Sequence, residues 1–529
     1  MPAVTDSEDG ISTPTGDRAH RSKPGAGQRW FSPKTGLSLI GFLAVGASGI
    51  VVNTLLLAAF AEAAGLHYLV SAVLATQGST LWNFALHQAL IFRSRPARRT
   101  LLGRLGRYLL VNNAALLPRA PMLAALVAWF GVHYLAANLI TLVSLALLRF
   151  LLADRWIWPR EESTDGAPAR NTYDIHGILT VDSDIALPEL AYFRVPSLPR
   201  TADIEVRRGR PPQEVSPSTI VYDDGLGQWG FRLTMARSAG FRVWVSPLVQ
   251  QSPHVLYTNV VEPILRWSFV PRGYALVHAA SISFNGAAAL ITAPTDTGKT
   301  TTILRALQSQ SWSFLSDDMT ILSPDGRIRS FPKPLTISAH TLHAVPTAAL
   351  SAGERLALAV QSRLHSRSGR RFGLWLAALR LPAATINALV QWLIPPPKYS
   401  VDRLIPGVSF SEEATLRHVV VLERGPDGKE ALTPGMVLSA LQSNAEDAYG
   451  FPPYHALEAF LSQTEGEDYH EVEREIVAQA TRGCPGTRLA SQEFRWWRSL
   501  PYLLRPASSA TLETIPRARA LRPGADRPG

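Results

Sequence analysis

Between Ala287 and Leu307 an apolar stretch runs through Ala293-Pro294-Thr295-Asp296-Thr297-Gly298-Lys299-Thr300-Thr301 into Thr302-Ile303-Leu304-Arg305-Ala306-Leu307. An apolar strand, a tight turn and a helix that opens on Gly-Lys-Thr are the parts of a phosphate-holding loop. Backbone N–H groups and the positive end of the helix face the anion. In this reading Thr295, Asp296, Thr297, Gly298, Lys299, Thr300 and Thr301 line a nucleotide site. Lys299 reaches the β- and γ-phosphates, and Thr300 offers its hydroxyl to Mg²⁺. Two residues run against the pattern. Ala293 stands where the pattern begins with Gly, and Asp296 brings a negative charge toward the phosphates. The alternative is a chance Gly-Lys-Thr in an ordinary strand–turn–helix.

A second group follows about one helix downstream. Trp312-Ser-Phe-Leu-Ser316-Asp317-Asp318-Met319 reads as a strand that ends in two acids. Adjacent carboxylates there suit a divalent cation and general-base work on an acceptor. By itself such a pair is an ordinary turn. Upstream, Tyr274-Ala-Leu-Val-His278 reads as a strand carrying one histidine, and Asn285-Gly286 as a hairpin turn before the phosphate-loop strand. His278 is either structural or part of the same site. Phe331-Pro-Lys-Pro-Leu-Thr336 and the basic cluster Ser362–Arg371 are candidates for shaping an acceptor site, the latter also readable as a solvated loop. Glu446–Tyr454 reads as a compact acidic–aromatic turn.

These residues need a frame. The chain has 529 residues, of which 46% are hydrophobic and only 18% charged. So few charges exclude a wholly disordered chain and point to lipid for part of it. The single cysteine, Cys484, excludes an intramolecular disulfide framework and a Cys-rich zinc site. Residues 1–34 read as a disordered basic tail with no apolar core of a secretory signal. Thr35–Ala61, Ala63–Phe92, Arg107–Phe130 (interrupted by Pro118, Arg119 and Pro121) and Val132–Ala153 form about four membrane-length segments. The links near Glu62 and Gly131 carry no Lys or Arg, whereas the link after the second segment carries Arg93, Arg95, Arg98, Arg99, Arg104 and Arg107. That asymmetry predicts a multi-pass protein of the plasma membrane with both termini cytoplasmic. It also accounts for much of the net charge of +10 without nucleic acid. Residues 160–172 read as a linker, 173–504 as a cytoplasmic α/β region with strands such as Ile175–Val181, Gly240–Ser246 and Ala287–Thr292, and 505–529 as a disordered tail. Gly373–Ile394 is apolar and reads either as core helices or as a segment lying on the membrane.

Two resemblances sit beside this reading. Residues 35–159 resemble the GtrA-like family of four-helix membrane proteins, through Gly46-Ala-Ser-Gly49 leading to Asn53, Asn83-Phe84 with Phe92, Arg107-Tyr108-Leu-Leu-Val-Asn112, Ala137-Asn138-Leu-Ile and Trp156-Ile-Trp158. That resemblance implies a role in cell-surface polysaccharide synthesis, handling polyprenyl-phosphate-linked sugar or another membrane lipid. Gly46 and Gly49 would let helices approach closely. The polar residues of these segments form either interhelical hydrogen bonds or a head-group cavity. Arg272–Leu322 resembles the HPr kinase/phosphorylase-like P-loop domains. That resemblance implies ATP and Mg²⁺ as cofactors, with Lys299 and Thr300 on the phosphates and metal, Asp317 as general base, Asp318 on the metal, and His278 near the phosphates. The expected protein is a helical membrane bundle followed by a cytoplasmic α/β P-loop kinase-like domain of unknown acceptor. Two alternatives stand beside phosphoryl transfer: a non-catalytic nucleotide sensor that regulates the membrane module, and an accessory protein that recruits glycosyltransferases.

Overall fold

The computed structural model describes residues 33–93, 100–128, 133–158, 170–211, 218–294, 297–308, 311–337, 341, 343–346, 350, 358, 382–393, 395–449, 451–464 and 467–504. Residues 1–32, most of the linker, Thr295, Asp296, the basic cluster Ser362–Arg371 and residues 505–529 lie outside them.

Five helices make the N-terminal part: α1 Pro33–Ala58, α2 Tyr68–Leu86, α3 Leu101–Ala114, α4 Arg119–Ala128 and α5 Tyr134–Leu152. Each of the four expected apolar segments is helical. The third is split at Ala115–Pro118, because a proline removes an N–H donor and disfavours helix in the residue before it. Ser38–Ala63 and Leu101–Ala128 are long and apolar enough to cross a membrane, and Ala137–Leu152 is a shorter apolar helix. Helix α1 packs on α2 through small residues. A Cβ at Gly49 would lie 2.4 Å from Asn83 Nδ2 and one at Gly78 would lie 2.5 Å from Leu56 Cδ1. Gly46, expected to share this role, faces open space.

The polar groups of the bundle largely pair with one another. Asn53 donates to Thr76 and Ser79, each at 3.4 Å, and Gln77 donates to Asn113 at 3.1 Å. His87 Nδ1 lies 2.9 Å from Tyr108 Oη. One end of the bundle is closed by an aromatic cluster in which Phe92 stacks on Trp158 with ring centroids 4.5 Å apart, next to Phe42, Phe84 and Tyr108.

From Asn171 the chain is α/β, two residues earlier than expected. A seven-stranded mixed sheet contains Asn171–Ile175, Leu179–Ser183, Ile204–Arg208 and Phe241–Val245. The strand expected over Ile175–Val181 is instead a hairpin, because His176 and Gly177 have φ of 54° and 71° and turn the chain back. Asn285 and Gly286 make the same kind of turn, as expected, with φ of 49° and 78°.

The second sheet has ten strands and carries the residues of chemical interest. Ser313–Ser316, Ala280–Phe284, Ala287–Thr292, Glu413–Glu423, Arg327–Arg329, Thr320–Leu322 and Ala275–Val277 follow one another across it. Two stretches of chain break midway, at His278–Ala279 and at Asp317–Met319, and their halves pair at opposite ends of that order. Hydroxyls fix the breaks. Ser281 Oγ lies 3.0 Å from both Ser316 Oγ and Thr320 Oγ1, and Thr320 donates to Ala279 O at 2.8 Å. One apolar cluster spans both sheets, from Tyr173 to Ala480. A second holds helix Lys299–Leu307 against the sheet through Ile303, Leu304 and Leu307.

Glu446–Tyr454 joins two helices, with bend and turn residues at Phe451–Pro453. Helix Pro434–Tyr449 ends there and helix Tyr454–Ser462 begins, so that Tyr449 faces the Arg266 guanidinium at 4.9 Å. The described part of Gly373–Ile394 is helix Ala383–Leu393, with Ala383, Ala384 and Ala388 buried and Leu389 and Val390 exposed. Its last residue, Leu393, packs against the aromatic end of the bundle.

Candidate functional site

Strand Ala287–Thr292 leaves the sheet into a loop, and Gly298 caps helix Lys299–Leu307. Gly298 has φ of 137°, and a Cβ there would stand 2.7 Å from both Phe494 and Trp496. Glycine is therefore required twice, by conformation and by close approach. Thr297 donates its backbone N–H to Pro294 O at 3.1 Å, and Arg424 donates to Thr297 O at 3.3 Å while lying over the Phe494 ring. Thr301 is buried in the first turn of the helix.

Lys299 is 8% exposed and turns back over the strand end. Its ammonium donates to Ala293 O at 3.1 Å and lies 2.9 Å from His278 Nε2. Thr300 donates its hydroxyl to Asp317 Oδ2 at 2.9 Å. Asp318 Oδ1 lies 3.1 Å from His278 Nε2, and Asp318 Oδ2 accepts from Lys333 at 2.7 Å. Lys333 also donates to Glu262 at 2.6 Å. The structure thus brings His278, Lys299, Thr300, Asp317 and Asp318 together, while Thr295 and Asp296 lie outside the described residues.

The histidine's contacts fix one of its protons. Asn444 O can only accept, so His278 Nδ1 donates to it at 2.8 Å. Nε2 then has two neighbours with opposite demands. Unprotonated, it accepts from Lys299; protonated, it donates to Asp318 and repels the ammonium.

The two acids are unlike. Burial, reinforced by the Asp318 charge, pushes Asp317 up to about 7 against the opposing Thr300 hydrogen bond. Burial would raise Asp318 too, but Lys333 and His278 outweigh it and hold that carboxyl well below the usual range. Lys333 is held charged in turn, because Asp318 and Glu262 outweigh its burial. Asp317 Oδ1 is buried with no hydrogen-bond partner. Lys333 comes from the Phe331–Thr336 segment expected to shape an acceptor site, whereas Glu262, Asn444 and the Ser281–Ser316–Thr320 hydroxyls were not assigned to the site from sequence. Glu262 left one sequence signal, an acid set before Pro263 in an apolar helix, whose neighbours are all buried.

Residues 41–158 match the family model of the GtrA/DPMS transmembrane domain. The N-terminal part is GtrA-like. No curated protein matches the chain. The match makes residues 41–158 the membrane part of this protein, and the α/β region follows it with mixed sheets.

Proposed function

We propose that the GtrA-like bundle handles a polyprenyl-phosphate-linked sugar and that the α/β region is a P-loop domain that binds ATP and transfers its γ-phosphoryl group. The observation that carries the second half is the convergence of a lysine and a threonine at a helix start with two acids of opposite character, Thr300 bonding Asp317 at 2.9 Å. Mg²⁺ suits these residues, because a buried carboxylate oxygen without a partner beside a threonine hydroxyl is an unsatisfied acceptor. Thr300 and Asp318 would hold it beside Asp317, and it would offset phosphate charge.

The chain's own groups then divide the work. The N–H groups at the helix start bind phosphate oxygens. Lys299 exchanges His278 and Ala293 O for the β- and γ-phosphates. Asp317 takes the proton of an acceptor hydroxyl, whose oxygen bonds to the γ-phosphorus while the bond to the β–γ bridging oxygen breaks and ADP leaves. The acceptor we propose is a lipid or sugar hydroxyl at the membrane, favoured by the contact of Leu393 with the bundle.

One observation favours nucleotide sensing without turnover: Ala293 in place of the loop's first glycine. Membranes containing the full-length protein, given ATP labelled at the γ-phosphate, decide between the two. The phosphotransferase reading predicts labelled lipid or sugar that disappears in Asp317→Asn. ATP binding without label transfer selects the sensor.

A further inference from the structure

Helix Ala383–Leu393 is amphipathic in the opposite sense to a core helix. It holds no charged residue. The face it buries against the α/β region is made of small side chains: Ala384 and Ala388 are fully buried and Thr385 nearly so. Its large apolar side chains stand on the other face. Ile386, Leu389, Val390 and Leu393 follow the i, i+3, i+4, i+7 spacing of one helix stripe. Leu389 is 41% and Val390 39% exposed, and Ile386 and Leu393 are half-buried. The stripe runs roughly 10 Å along the helix, at about 1.5 Å per residue. Hydrogen bonds keep the helix from rolling it inward: Phe231 N donates to Thr385 Oγ1 at 2.7 Å and Ser252 Oγ to Ala388 O at 2.9 Å.

Large apolar side chains lined up on one face gain free energy when something removes them from water. Two observations identify lipid as the cover. The stripe is continuous with the membrane part, because Leu393, its last member, packs in one cluster with Leu105, Trp156 and Trp158 at the aromatic end of the bundle. Tryptophans at such an end settle at the head-group level of a bilayer. This is also the end from which the chain leaves the bundle for the α/β region. The bundle's own lipid-facing surface begins at the same place. Leu101 and Leu102, 56% and 79% exposed, stand one turn before Leu105 on α3, and they open a segment long and apolar enough to cross a membrane. The exposed apolar faces of α3 and of helix Ala383–Leu393 therefore meet at Leu105 and Leu393. At the other end of the helix, the turn that packs on Thr385 adds Leu226, 48% exposed, and Trp229, 91% exposed; a Cβ at Gly230 of that turn would stand 2.8 Å from Thr385 Oγ1.

We infer that helix Ala383–Leu393 lies on the bilayer surface, with Ile386, Leu389 and Val390 in the boundary between head groups and acyl chains and Leu393 on the bundle. The lipid is engaged through its apolar part, without a head-group preference, because the helix carries no charge. The α/β region is then held at the membrane twice, by protein at Leu393 and by lipid at Leu389 and Val390. The inference rests on the membrane part alone and needs neither the sugar nor the ATP site.

The test uses the full-length protein in phosphatidylcholine vesicles. Cys484, the single cysteine of the sequence, is removed as Cys484→Ser, and a nitroxide is attached to Leu389→Cys or to Val390→Cys. Both side chains are exposed, so the label replaces no core contact, and an unchanged melting temperature confirms the fold. Collisions of the label with oxygen, which concentrates in lipid, are compared with collisions with a water-soluble nickel chelate. The same label on Asp427, exposed in the turn between strands Glu413–Glu423 and Gly428–Leu432, gives the reference in water. At both helix positions oxygen collisions should rise and nickel collisions fall relative to that reference. Nickel collisions as frequent as at Asp427 would leave the stripe in water and overturn the inference. Rare collisions with both reagents would mean that protein covers the stripe. Spin–spin broadening that disappears when labelled protein is diluted with unlabelled protein would make that cover a second copy of this chain. Either result overturns the inference as well.

Discussion

At the scale of single residues, Lys333 shows how far the site depends on groups that never meet a substrate. Its ammonium is shared by Asp318 and Glu262 and is almost fully buried. Removing one partner of a buried pair leaves the others uncompensated, typically at about 3–5 kcal/mol. Asp318 is 43% exposed and can recover some hydration. Lys333→Met should therefore cost about 3 kcal/mol, the low end of that range, read as a lower denaturant midpoint. Glu262→Gln combined with Lys333→Met should recover part of the loss, and a fully additive double variant would contradict the pairing. Asp317→Asn should leave nucleotide binding within a few-fold of wild type while lowering any turnover by about 10²–10⁴-fold, the usual share of a general base. Gly298→Ala meets Phe494 and Trp496 at a φ that an alanine resists. We expect about 1–3 kcal/mol of lost stability, together with weaker nucleotide binding.

At the scale of elements, strand-to-helix geometry was legible and strand continuity was not. Ala287–Thr292, the turn at Asn285-Gly286 and the helix from Lys299 followed from apolar runs and punctuation by Gly, and they stand where those signals put them. The hairpin at His176-Gly177 was missed because Thr-Tyr-Asp-Ile and Leu-Thr-Val-Asp flank it without a second turn residue. The breaks at His278 and Asp317 were not legible either. They depend on Ser281 meeting Ser316 and Thr320, 35 and 39 residues further on, a contact made only once the sheet has formed. Another element-scale link joins Glu189, His254 and Lys398. Glu189 accepts from His254 at 2.7 Å and from Lys398 at 2.8 Å. Burial would raise Glu189, but Lys398 and His254 outweigh it and bring it from 4.5 to about 2. Burial, with the Lys398 charge, takes His254 from 6.5 down to about 4. Both groups bind protons more readily when unfolded, so both lose stability on acidification: His254 between pH 6.5 and about 4, Glu189 between 4.5 and about 2. The thermal midpoint should fall steadily below pH 6.5. Glu189→Gln should flatten the part of that slope below 4.5, and an unchanged slope would show that this cluster is not its source.

At the scale of the whole molecule, the bundle and the α/β region meet at a recognisable place. Helix Ala383–Leu393 is held by the α/β region, with Thr385 Oγ1 accepting from Phe231 N at 2.7 Å and Ala388 O accepting from Ser252 at 2.9 Å. Its far end, Leu393, touches the aromatic cluster of the bundle. The chain then returns as Lys398–Tyr399 to pair with Leu335–Thr336, two residues beyond Lys333. A substitution such as Leu393→Asp should therefore loosen the bundle from the α/β region, seen as faster proteolysis next to the helix, while the α/β core keeps its melting temperature; unchanged proteolysis would contradict the docking. The membrane half was readable from charge-free length and the positions of arginine, whereas the docking contact was not, since one leucine in an apolar run carries no signal of its partner. The central claim, that the start of helix Lys299–Leu307 is a nucleotide-phosphate site, is tested most directly by equilibrium binding of ATP with Mg²⁺ to the full-length protein and to its Lys299→Ala variant. The account predicts saturable binding to the first that is weakened roughly 10–100-fold in the second, the worth of a charge-assisted contact. Equal binding by both proteins, or none by either, would contradict it.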